Sequence, residues 1–242
     1  VLLVAAICVD IILWQSWFRV NDIRAEGPSA EAIQTFAQKE LGGTRFMVVP
    51  KNSIFFLPTK ELRAHILAAF PDAEAISIHP AGLRTLTITA TPRAAVAWWC
   101  GSAPGDTSGC YDLDAQGFVF APVKPEDAVA STSMLSIYAP LAGAHEGASP
   151  LGGTLAHADG LPKLLEFVKA IRSLNANIVT VIVRGDEADL MTPANTRITY
   201  VIGRESQAAT LAASAFPDLN LNDGSLLYVD LRFDNKVYFK KK

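Results

Sequence analysis

Cys100 and Cys110 bracket GSAPGDTSG, with Trp98-Trp99 before them and Tyr111-Asp112-Leu113 after. Two short strands joined by this loop would bring the thiols into bridging range. A bridge closing so short a loop stabilises by up to about 3 kcal/mol. Two free buried thiols are the competing reading. The bridge is favoured, and it implies an oxidising space outside the cytoplasm. The spacing is not that of a zinc site, because no second Cys or His pair accompanies it. Cys8 lies in an apolar segment and reads as an inert packed or lipid-facing thiol.

The other chemistry-bearing residues are scattered. Asp112 and Asp114 imitate paired carboxylates, but they flank a turn, where Asp serves local hydrogen bonds. Asp186, Glu187 and Asp189 follow Arg184-Gly185 and read as a hairpin turn; weak cation binding is a distant second. His65, His79, His145 and His157 have no metal-ligand spacing. Gly203-Arg204-Glu205-Ser206 joins a strand to a helix, but it lacks the second glycine and lysine of a phosphate loop, so Gly203 reads as a turn and Ser206 as a cap. No G-x-S-x-G elbow occurs. The expectation is a protein that is not an enzyme, with no metal and no cofactor.

The elements that would position these residues follow from periodicity. Residues 18–27 alternate as a strand. Ser29 reads as the N-cap of a helix burying Ile33, Phe36, Ala37 and Leu41, which Gly42-Gly43 stops. Thr59 reads as the cap of a second helix through Leu62, Ile66, Leu67 and Phe70. Strands are expected at 75–79 and 83–90. The order is β-α-α-β-β over residues 19–92. A second region, 93–242, has strands at 94–99, 111–120 (turning at 114–117) and 134–138. A helix at 161–174 and strands at 178–183, 188–191 and 197–202 come next. Another helix at 207–216 and strands at 226–233 and 236–239 complete it. The stretch 123–150, rich in Ala, Ser, Pro and Gly, wanders over the surface around its single strand. The fold class is α+β: the small module is followed by a larger mixed α/β domain on an extended, antiparallel-rich sheet.

With 242 residues, 50% hydrophobic and 19% charged, the chain can bury real cores. A net charge of −3 excludes a strongly basic nucleic-acid binder. Residues 1–18 carry one charge before Arg19, namely Asp10, and would span about 27 Å as a helix. This segment reads as a membrane helix whose beginning precedes the chain, with Trp14, Trp17 and Phe18 as an interfacial belt. A core helix and a signal peptide are the competing readings. Asp10 would cost roughly 2.5–3.5 kcal/mol on insertion scales. A single-pass cell-membrane protein with its bulk outside the cytoplasm is expected.

Residues 236–239 form a short apolar terminal strand beside Lys236 and Lys240 to Lys242. A terminal strand is often a sheet edge whose free N–H and C=O groups can take a partner strand. An ordinary covered edge is the competing reading.

Four segments carry a resemblance. They are the β-α-α-β-β pattern with Ile54 to Leu57, Ile76-Ser77-Ile78 and Leu86-Thr87-Ile88; Ala95-Val96-Ala97-Trp98; residues 113–120 (LDAQGFVF); and residues 228–234 (YVDLRFD). In this order the chain resembles the bacterial cell-division family FtsQ, also called DivIB, with 19–92 as its POTRA domain. It departs from the family at 90–96, where the usual glutamate is replaced by Thr91 or Pro92, and in the Cys100/Cys110 pair. The resemblance implies a non-enzymatic divisome scaffold at the division site. It would bind FtsB-like and FtsL-like membrane proteins and help regulate septal peptidoglycan synthesis. It implies partner contacts at Arg232, Phe233, Asn235, Val237, Tyr238 and Phe239. Arg232 would reach a partner carboxylate, Phe233 would anchor apolar surface, and a partner strand would pair with 236–239. The POTRA region would be a second docking surface for other division proteins. A membrane-anchored POTRA module for outer-membrane protein assembly or secretion is the alternative.

Overall fold

The computed structural model describes residues 16–45, 49–105, 109–124, 134–143 and 149–242. The chain divides into two compact units, one ending at Arg93 and the other beginning at Ala94. Among the described residues no helix is long and apolar enough to cross a membrane. The expected span over 1–18 lies outside them except for Ser16–Phe18, a 3-10 turn.

In the first unit, β1 (Asp22–Glu26) leads to α1 (Ala30–Glu40), and α2 (Thr59–Ala69) leads to β4 (Ala73–Pro80) and β5 (Thr85–Pro92). Between the helices lies a two-strand ladder absent from the expected order, β2 (Thr44–Arg45) with β3 (Val49–Pro50). Two residues per strand are too few for alternation to register in the sequence. The main sheet runs β1-β5-β4, with β1 parallel and β4 antiparallel to β5. Ile33 and Ala37 of α1, with Leu62 and Ile66 of α2, share one core with Ile76, Ile78, Leu86 and Ile88 of the sheet. Burial of each large aliphatic contributes roughly 1.5–3 kcal/mol. Ser29 takes the N-cap position of α1 as expected but makes no side-chain cap bond, and Thr59 is not the cap of α2. Ser29 sits at φ 53° and its hydroxyl donates to the Asp72 carboxylate at 2.7 Å, while Pro58, not Thr59, precedes α2. Gly27 is required: at φ 105°, a Cβ there would lie 2.0 Å from the Ala90 carbonyl oxygen.

The second unit contains β6 (Ala97–Trp99), β7 (Tyr111–Leu113), β8 (Val119–Pro122), β9 (Ser136–Tyr138) and α3 (Leu161–Ser173). It continues through β10 (Thr180–Arg184), β11 (Glu187–Met191), β12 (Arg197–Val201) and α4 (Glu205–Ala215). β13 (Leu226–Asp230) and β14 (Tyr238–Lys241) end it. These strands form one nine-stranded sheet, ordered β14-β13-β12-β11-β10-β9-β6-β7-β8. The pairs β9–β10, β6–β9 and β12–β13 are parallel and the other five antiparallel.

Strand alternation gives the two faces different chemistry. Val181, Leu190, Ile198 and Val229 share a core with Leu164, Phe167 and Ile171 of α3 and Ala208 and Ala212 of α4. Their neighbours Ile182, Asp189, Thr199 and Asp230 stand in register on the opposite face. Arg204, not Ser206, precedes α4, and the Glu205 carboxylate accepts from the Gly203 N–H at 2.8 Å. Of the 123–150 stretch, 125–133 and 144–148 lie outside the described residues. A disulfide joins Cys100 to Cys110, linking the strands β6 and β7 on either side of the loop.

Candidate functional site

The end of the chain supplies the site. β13 is held on its inner side by β12, and the ladder extends to Leu231, whose N–H donates to the Thr199 carbonyl at 2.9 Å. The chain reverses through 231–237 and returns as β14, antiparallel to β13, with Asp230 opposite Tyr238 and Val229 opposite Phe239. Asn235 takes φ 59° in this reversal, a left-handed conformation that Asn tolerates better than most residues. A Lys242 N–H to Ser225 carbonyl bond of 2.9 Å closes the far end.

The terminal strand is therefore two residues later than alternation predicts. It covers 238–241, not 236–239. Lys236 and Val237 belong to the reversal, and Val237 packs partly against the core. Within the reversal the Phe233 ring meets Tyr238 edge-on, centroids 5.0 Å apart. All four β14 residues are exposed. Phe233, Tyr238 and Phe239 are each about half exposed, as is Leu227 at the bulge between Leu226 and Tyr228. Among the described strands only β13 pairs with β14.

Arg232 does not stand free to meet a partner carboxylate. Its Nε and Nη2 donate to Asp230 at 2.9 and 2.6 Å, and its Nη1 donates to Glu187 of β11 at 2.7 Å. The side chain thus clamps the reversal to a strand two places inward. Its guanidinium also lies 6.0 Å from the Phe233 ring centre. Burial pushes the Asp230 carboxyl upward. The Arg232 hydrogen bonds and charge, with Arg197 beyond, outweigh it and hold Asp230 below the usual carboxylate range. The same bonds, to Asp230 and then Glu187, raise the Arg232 guanidinium further above its already high value.

A second clamp lies beside the first. Arg184 donates to buried Asp189 at 2.6 Å, and the Thr199 hydroxyl donates to its other oxygen at 2.6 Å. The acidic cluster read as a hairpin turn is thus divided. Asp186 stays at the turn, while Glu187 and Asp189 hold arginines on the face opposite α3 and α4. Their alternation on β11 was the available signal, but their partners come from other strands. Asp114 accepts the Gln116 and Phe118 N–H groups, both at 2.9 Å, and shapes its turn. Among the described residues no group of three or more His, Cys, Asp or Glu side chains is placed to hold a metal ion.

At the opposite edge, the backbone at the start of β8 is occupied. The Val119 N–H donates to the Gly153 carbonyl at 2.9 Å, and the Gly152 N–H donates to the Val119 carbonyl at 2.8 Å. Phe118 bridges to Thr154, and the Leu155 N–H reaches the Gly117 carbonyl at 2.9 Å. Pro122, which has no N–H, ends the strand. What the β14 edge can do is bind a strand: it offers backbone groups, three aromatic side chains and a lysine-rich end. No known protein-family model matches the chain, and no curated protein matches its sequence.

Proposed function

We propose that this protein is a membrane-anchored, non-enzymatic scaffold of the bacterial divisome, of the FtsQ/DivIB kind. It takes up a strand from a small bitopic division protein, FtsB-like or FtsL-like, along β14 and so helps regulate septal peptidoglycan synthesis. The observation that carries this reading is the contrast between the sheet's edges: a returning segment occupies the start of β8 at 117–119, whereas β14 pairs on one side and exposes every residue. Main-chain pairing would supply affinity and the exposed rings specificity. Lys240 to Lys242 favour a partner strand flanked by acidic residues. The first unit, with two helices on a three-stranded sheet, is the POTRA module of this reading and a second docking surface for other division proteins. The Cys100–Cys110 bond suits an ectodomain in an oxidising compartment.

Hydrogen exchange on the whole chain, with and without a peptide from the host's FtsB-like ectodomain, tests it. New protection centred on 228–241 is expected. Tight binding with protection elsewhere would remove β14 as the site. An absence of binding at high peptide concentration would remove the scaffold reading.

A further inference from the structure

Three separate segments of the first unit meet at one end of its sheet. The Val20 N–H donates to the Asn52 carbonyl at 2.8 Å, and the Ile54 N–H donates to the Phe18 carbonyl at 2.9 Å. Arg19 pairs with Ser53 as an isolated bridge, and the Arg84 carbonyl accepts from Asn21 and Asp22 at 2.9 and 3.1 Å. Segments 16–21, 51–57 and 81–84 are thus joined where β1 begins.

This end is apolar where it meets solvent. Trp17 is 73% exposed, Phe55 58%, Phe56 55% and Leu83 57%. Ile54 and Leu57 pack partly on the core, so the short run Ile54-Phe55-Phe56-Leu57 splits, its outer residues inward and its two rings outward. Phe55 also meets Phe18, ring centres 5.3 Å apart. The three segments contain Arg19, Lys51 and Arg84 and no acid. Residues 1–14, which precede this end in the chain, are apolar except for Asp10.

Exposed aromatics on segments that carry Arg19, Lys51 and Arg84, with Asp22 at their border paired to Arg24, next to an apolar chain segment, have the chemistry of a bilayer interface. We infer that the first unit rests on an anionic lipid surface through Trp17, Phe55, Phe56 and Leu83. The loop 51–57 is then a second membrane contact beside the N-terminal segment, and it fixes the tilt of the unit on the bilayer. The inference rests on the membrane-anchored reading above.

The test uses the whole chain with Cys8→Ser, in vesicles of phosphatidylcholine and phosphatidylglycerol. An environment-sensitive fluorophore is attached at Phe55→Cys, Phe56→Cys or Leu83→Cys in turn. Glu74→Cys is the control. Glu74 is exposed and six residues along β4 from Pro80, about 20 Å by strand rise, at the other end of the sheet. Blue-shifted emission and at least two-fold stronger quenching by brominated lipid chains at 55, 56 and 83 than at 74 is expected. Protein that floats with the vesicles while all four labels report water keeps the anchor and rejects the contact. Protein that does not float rejects both.

Discussion

At Val119 on β8 both backbone groups are spent on the returning segment 152–153, whereas among the described strands none pairs with the outer side of β14, which carries three lysines at its end. Both edges belong to one sheet and both face the problem of unpaired backbone. The first is closed by hydrogen bonds and a terminal proline. The second is guarded by charge alone, which deters indiscriminate pairing but yields to a partner of complementary charge. An edge occupied at its start and ended by proline has less free backbone to offer, so β14 is the better strand-binding edge of this sheet.

The largest expected effect breaks the open edge. Tyr238→Asp with Phe239→Asp places two carboxylates on β14 where half-exposed rings stood. Affinity for the FtsB-like peptide falls more than a hundred-fold, or about 2.7 kcal/mol. The urea midpoint changes little, because neither ring is core. Pro122→Asp, exposed at the end of β8, leaves affinity unchanged. Calorimetric titration of the three proteins checks this; equal losses at both edges would end the distinction between them.

A second experiment opens the closed edge. Gly152 sits at φ 82° and its N–H donates to Val119. Gly152→Pro removes that donor and imposes a φ near −65°. A stability loss of about 2–3 kcal/mol is expected from strain and the orphaned carbonyl. With β8 uncovered, concentration-dependent self-association should appear in light scattering, while peptide affinity at β14 is retained.

Much of this arrangement was legible as pattern. The periods of α3 and β10 to β13 placed most core residues, because Ile198, Leu190 and Val181 alternate within local sequence. The Cys100/Cys110 pairing followed from two flanking strands and a short loop. What pattern missed was non-local or too short. β2 and β3 have two residues each. The start of β14 lies later because 231–237 form a reversal in which Asn235 is left-handed and Phe233 meets Tyr238 edge-on, none of which alternation records. Ser29 resembled a cap until a partner 43 residues away, Asp72, took its hydroxyl. The Arg232 role changed for the same reason, since Glu187 lies 45 residues upstream and only the order β11-β12-β13 brings the two together.

That clamp gives the smallest effect, and it separates the edges by pH. Asp230 is depressed in the folded protein, so its contribution to stability is present above the unfolded carboxylate value of about 3.9. The contribution is lost as pH falls through the lower folded value. Exchange protection of 231–238 should therefore fall in acid below about pH 4, ahead of protection at 117–119, which neutral backbone bonds hold. Arg232→Ala removes the side-chain bonds and the charge at Asp230; the residue-232 N–H, which donates to the carboxylate at 3.0 Å, and the more distant Arg197 remain, so the carboxyl rises from its wild-type position. The half-exposed arginine contributes about 1 kcal/mol or less, so the variant stays folded and binds the peptide only several-fold more weakly. Carboxyl carbon NMR of Asp230 in both proteins reads the shift directly. An unchanged midpoint would mean that the clamp is not populated in solution, and that the open edge is held by the β13–β14 ladder and the Phe233–Tyr238 contact alone.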